Sequence, residues 1–224
     1  NYRCLRYIRQ SLDRFHVFVG PNASGKTTFL DAISFLGDLV SEGLDPAIRK
    51  RTDTFEDLLF GRNGDHFEIA VEMVIPEGLR SRLADPKYDA IRYEVSIGQD
   101  DSKNEIHLLD EKVLFLQTQT DPVVQKLLFP APFPAPDSIL TGRIGKTRRI
   151  VTKVRNGNDN YYSEVYEQTG KGWAPSIRLG PTKSALGNLP ADESNFPVST
   201  WLRDTLRTGI QVLMLNSLKL RQSS

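Results

Sequence analysis

The sequence predicts an α/β fold in which a strand, a glycine-rich loop and a helix precede a β-rich antiparallel lobe. Three observations carry this expectation. Phe15-His16-Val17-Phe18-Val19 is a short apolar run that stops at Gly20, as in a strand buried on both faces of a parallel sheet. Phe29, Ile33, Leu36 and Val40 then recur at helical spacing, which predicts one amphipathic helix over residues 25–40. From Phe67 onward the apolar period drops to two, the mark of strands with one wet face.

The β-rich part begins with two alternating runs, one over Phe67, Ile69, Val71, Met73 and Ile75, the other over Ile91, Tyr93, Val95 and Ile97. Further strands are expected over residues 105–109, 112–116, 148–155 and 161–167, separated by turn-rich stretches such as Asn156-Gly157-Asn158-Asp159-Asn160. Proline at every second position from Pro130 to Pro136 predicts a stiff extended surface connector. After Pro197 a helix resumes with Trp201, Leu202, Leu206 and Ile210 on one face. The expected organisation is residues 1–60 for the loop strand and helix, 61–180 for the β-rich lobe and 181–224 for the start of a helical lobe.

Lys plus Arg number 29 against 28 Asp plus Glu, so net charge gives no reason to expect a nucleic-acid or membrane partner for the chain as a whole. The single cysteine, Cys4, cannot form an internal disulfide, and no Cys/His cluster has metal-ligand spacing, which suits a reducing cytosol. No apolar run approaches the roughly 18 residues of a membrane span. A cytoplasmic protein is expected.

Gly20-Pro21-Asn22-Ala23-Ser24-Gly25-Lys26-Thr27 has glycine, four residues, glycine, lysine and threonine in the P-loop order, between the expected strand and helix. The chemistry follows from these residue types. Backbone N–H groups of Ala23, Ser24 and Gly25 face inward around a phosphate, the helix N-terminus adds partial positive charge, and Lys26 supplies a point charge. Thr27 offers a hydroxyl to Mg²⁺, and Thr28 completes the loop. The cofactors expected are therefore ATP and Mg²⁺. Two lookalikes, Gly145-Lys146-Thr147 and Gly180-Pro181-Thr182-Lys183, fail the spacing.

Asn22 before Ala23-Ser24-Gly25-Lys26-Thr27-Thr28, then Phe29-Leu30-Asp31-Ala32-Ile33, resembles the loop of the ABC-type ATPase heads found in RecF, SMC and OLD-family proteins. Asn1-Tyr2-Arg3 is similar to the motif that precedes the loop in those heads. Leu179 to Leu186, Trp201-Leu202-Arg203 and Gln211 to Ser217 resemble stretches of bacterial AAA family ATPases of the RecF/OLD-like type. The resemblance implies a P-loop NTPase head with a β-rich antiparallel lobe. It implies that Asn22 lies near the γ-phosphate and that Arg3 approaches the nucleotide. It also implies a homodimer of heads closed by ATP, with hydrolysis coupled to DNA maintenance or phage defence. The alternative is the nucleotide-binding subunit of a membrane transporter, against which the long β-rich section argues.

Hydrolysis in such heads also needs an acidic pair after a second apolar strand and a signature loop. Asp110-Glu111 superficially fits but is rejected, because Lys112 starts another apolar run at once and the pair reads as a hairpin turn. No serine-glycine-glycine signature occurs. The expectation is therefore that the C-terminal half of the head lies outside this chain, and the catalytic residues with it. Gln117 and Gln119 are read as surface residues.

Arg143, Lys146, Arg148, Arg149, Lys153 and Arg155 place six cations within thirteen residues, followed by Tyr161, Tyr162 and Tyr166. Period two would put Arg149, Lys153 and Arg155 on one face, a candidate DNA contact.

Overall fold

The periodic run after Gly25 folds as helix α1, Lys26–Glu42, which ends two residues later than its spacing predicts. Phe35, Leu36, Leu39 and Val40 are its buried stripe, and Gly43 ends it. A short helix α2, Leu44–Arg49, packs back on α1. The computed structural model of the protein describes residues 1–100, 105–118, 135–142, 147–166 and 174–213.

The period-two segments build a six-stranded antiparallel sheet in chain order: β1 His66–Val74, β2 Ala90–Asp100, β3 Glu105–Leu116, β4 Thr147–Thr152, β5 Asp159–Tyr161 and β6 Ser176–Ile177. A one-turn helix α3, Glu77–Arg80, lies between β1 and β2. In register, Ile69 faces Val95 and Val71 faces Tyr93, while Tyr93 in turn faces Val113. One face of this sheet closes the core. Phe67 is the centre of an aromatic cluster, its ring 5.0 Å from Tyr2, 5.6 Å from Phe35 and 5.9 Å from Phe55 between centroids.

The sheet differs from expectation in two places. Residues 105–109 and 112–116 are one strand, not two, so Asp110-Glu111 sits within β3 and forms no hairpin turn. The sheet accommodates the pair by a register shift between Ser96 and Ile97, where Ser96 faces Asp110 but Ile97 faces Leu108. Leu109 is the extra residue of this bulge. The second face is also drier than alternation predicts. Residues 138–141 strap across it: Ile139 N–H and the Ser138 hydroxyl donate to Glu68, Thr141 donates to Glu94, and Arg92 donates to the Ile139 carbonyl. Arg92 also pairs with Glu72 at 2.6 Å and with the fully buried Glu94 at 2.7 Å.

The largest departure concerns residues 15–19, which form no strand. Phe15, Val17 and Val19 are 83%, 63% and 89% exposed, the reverse of a buried parallel strand. A strand needs at least one partner, and no described residue pairs with this run. The run is apolar in composition, but its side chains are mostly exposed. Residues 148–155 and 161–167 are only partly strand, as β4 and β5. The Pro130–Pro134 part of the connector, Gln119, Arg143, Lys146 and residues 214–217 lie outside the described residues.

Helix α4, Pro197–Thr208, carries the apolar face expected after Pro197, with Leu202 and Leu206 buried. It packs across α1. A Cβ on Gly37 of α1 would come within 2.8 Å of the Leu206 carbonyl oxygen, so the helices meet where one has no side chain. The residue before α4, Phe196, cannot cap it. Glu164 does so from the segment after β5: its carboxyl accepts the Val198 N–H at 2.6 Å and the Ser199 N–H at 2.8 Å. Burial pushes this carboxyl up to about 7 from an ordinary 4.5, although the two amides and Arg148 pull the other way. Between those values the folded chain holds a proton that the unfolded chain has released. Stability from this group is thus full below the lower value and is lost as pH rises through the upper one. Glu164→Gln is expected to flatten that fall, as read from urea unfolding midpoints between about pH 5 and 8.

Among the described residues no helix is long and apolar enough to cross a membrane.

Candidate phosphate-binding site

Gly20 to Thr28 lead directly into α1, so the loop ends on the free N–H groups of a 17-residue helix whose first turn contains no acidic residue. Both features favour an anion there. The turn depends on backbone choices that the sequence encodes. Gly25 has φ 87°, natural only for glycine, and Ala23 takes a left-handed φ of 64° beside it. Phe29 N–H donates to the Gly25 carbonyl at 2.9 Å, the first helical bond.

Lys26 curls over the loop. Its ammonium donates to the carbonyls of Gly20 at 2.9 Å and Pro21 at 2.7 Å, and to the Ser24 hydroxyl at 3.1 Å. These are exposed contacts with neutral acceptors, weaker than a charge-assisted bond to a phosphate oxygen. A Cβ on Gly20 would lie 3.0 Å from Ser24 Oγ and 4.0 Å from Lys26 Nζ, so glycine keeps the interior of the loop open. These features fit a polyphosphate. Asn22 and Thr27 are exposed at the rim and mouth of the loop, while Thr28 is half-buried.

Arg3 stands apart from the loop. It ion-pairs with Asp31 at 3.3 Å and donates to the Arg51 carbonyl at 3.3 Å. Asp31 also accepts from Tyr2 and Arg51, and Arg51 continues to Asp38 at 2.8 Å, where Lys50 joins at 2.6 Å. Sequence reasoning placed Asp31 and Tyr2 in stretches that resemble known heads but gave neither a role. The available signal was Asp31 lying three and four positions after Thr28 and Thr27, on their side of the helix.

Asp110 and Glu111 have structural partners. Asp110 pairs with Lys112 at 2.7 Å. Glu111 is fully buried, its carboxylate accepting from the Tyr93 hydroxyl at 2.9 Å, the Ser184 hydroxyl at 2.7 Å and the N–H groups of Ala185 and Leu186 at 2.6 and 3.1 Å. It anchors the 184–187 turn against the sheet. Gln117 is exposed beyond the end of β3.

The basic stripe does not form as alternation predicts, because β4 ends at Thr152 and the chain turns at residues 155–157. Lys153 is buried, pairing with Asp159 at 3.1 Å and donating to the Lys183 carbonyl at 3.0 Å. Arg148 donates to the carbonyls of Ser163 and Tyr166 at 2.6 and 2.7 Å. Arg155 reaches Asp100 at 3.3 Å and, like Arg149, remains exposed.

A glycine-bounded loop with an inward lysine at a helix N-terminus, followed by an antiparallel lobe, defines a P-loop NTPase domain of the AAA type. Residues 15–172 match the family described as "AAA domain, putative AbiEii toxin, Type IV TA system", and the chain belongs to that family. It is a P-loop NTPase family related to the ABC- and RecF-type ATPases. No curated protein and no solved structure matches the chain.

Proposed function

We propose that Gly20 to Thr28 bind ATP with Mg²⁺, and that the chain acts as an ATPase head that pairs with a second head. The observation that carries the reading is the Lys26 ammonium drawn over a loop whose interior glycine keeps open. Ala23, Ser24 and Gly25 supply backbone donors, Asn22 borders the terminal phosphate, and Thr27 offers its hydroxyl to the metal. Thr27 would hold Mg²⁺, which would supply charge neutralisation to the phosphates. Arg3 is the further cation proposed for the nucleotide, which it would reach only by leaving its pair with Asp31. The family description, with its toxin of a type IV system, favours phage defence as the work coupled to the ATPase; DNA maintenance is the related outcome. For a DNA target, the exposed Arg149 and Arg155 are the candidate contacts.

Lys26→Ala is expected to weaken ATP binding by about a hundredfold or more, as charge-assisted bonds to the phosphates are lost. Calorimetric titration with ATP and Mg²⁺ reads this directly. Equal affinity in the variant and the unaltered chain would overturn the assignment of the loop.

A further inference from the structure

Cys4 and Leu5 form one wall of the loop, and Tyr2 and Arg3 before them are fastened to the helix that carries it. The Tyr2 hydroxyl donates to Asp31 Oδ2 at 2.7 Å, Arg3 pairs with the same oxygen, and Arg51 occupies Oδ1 at 2.8 Å. Burial and then the bond to Asp31 hold the Tyr2 phenol well above its ordinary range, so it remains a donor at neutral pH. Arg3 has a left-handed φ of 51°, which a non-glycine residue keeps only where its surroundings fix it. The next two residues touch the loop itself. Cys4 Sγ lies 3.2 Å from Thr28 Oγ1, and Leu5 covers Gly25 so closely that a Cβ there would be 2.9 Å from Leu5 Cδ2.

We propose that Tyr2 and Asp31 are positioning residues for the phosphate loop. Holding Cys4 and Leu5 against Thr28 and Gly25, they keep the loop in its binding shape before any ligand arrives. The inference rests on the reading of Gly20 to Thr28 as the ATP site. Loosening the latch lets the wall leave Gly25, and apparent affinity then falls by the fraction of molecules whose loop is no longer preformed. Lys50 supplies a control, since it bonds Asp38 and Glu42 at the far end of the same charged network.

The test is an ATP titration of the full chain and of its Tyr2→Phe, Asp31→Asn, Lys50→Met and Lys26→Ala variants. Each is also melted without nucleotide and digested briefly with trypsin. Tyr2→Phe keeps the ring among Phe35 and Phe67 and removes one hydroxyl, so it should fold. Tyr2→Phe and Asp31→Asn are expected to weaken ATP about fivefold or more and to speed cleavage after Arg6, with Lys50→Met unchanged. Unaltered affinity in both latch variants, while Lys26→Ala loses binding, sinks the positioning role alone. Equal weakening by Lys50→Met sinks it too, as a general loss of stability. Unchanged binding by Lys26→Ala would instead remove the ATP site, and the latch with it.

Discussion

Glu111→Ala is expected to destabilise the fold by about 3–5 kcal/mol, through loss of a buried charged acceptor with all its donors left behind. Four donors converge on this carboxylate, two of them backbone amides of the 184–187 turn. None can turn to water, because Tyr93, Ser184, Ala185 and Leu186 are all buried. Burial, the largest cause holding the Tyr93 phenol well above its ordinary range, persists once Glu111 is gone, so the phenol stays neutral and its hydroxyl is left without this acceptor. Glu111→Gln should cost less, since it keeps the shape and one acceptor oxygen. Urea unfolding measures both. A Glu111→Ala chain of undiminished stability would show that the turn does not need its anchor.

Phe67→Ala should cost a similar amount, about 3–5 kcal/mol, for a different reason. Its ring is fully buried and meets Tyr2, Phe35 and Phe55, so truncation removes apolar area and leaves a cavity between α1, the N-terminal segment and the sheet. Phe67→Leu, which refills much of the space, should cost about 1–1.5 kcal/mol. Thermal and urea unfolding distinguish the two. Comparable losses for alanine and leucine would mean that ring geometry, rather than volume, governs the cluster.

Local signals were the ones legible in the sequence. Helix α1 and strands β1 and β2 follow patterns repeated over many residues, and α4 shows its buried leucines after a proline at its first turn. The loop between Gly20 and Thr28 was legible because each chemical part has a fixed residue type at a fixed spacing. Signals depending on distant partners misled. Residues 15–19 read as a buried strand because composition reports apolarity and not the presence of neighbours to pair with. Asp110-Glu111 read as a turn because a second apolar run starts directly after the pair; here the turn at Ser184, far along the chain, supplies donors that let Glu111 stay inside one strand. Lys153 read as a surface cation because its partner Asp159 lies beyond the turn that ends the strand. Asp31 was given no role because its meaning lies in Tyr2, Arg3 and Arg51, brought to it from both directions.

The crossing of α1 and α4 at Gly37 has a mechanical consequence. Most helix contacts are cushioned by side chains that can change rotamer and absorb small displacements, but here backbone rests on backbone. A tilt of the helix that begins at the phosphate loop therefore has little slack before it bears on α4. That helix is tied at its other end to the segment after β5 through Glu164. Loop, crossing helix and sheet thus behave as one stiff linkage, with Gly37 as its bearing.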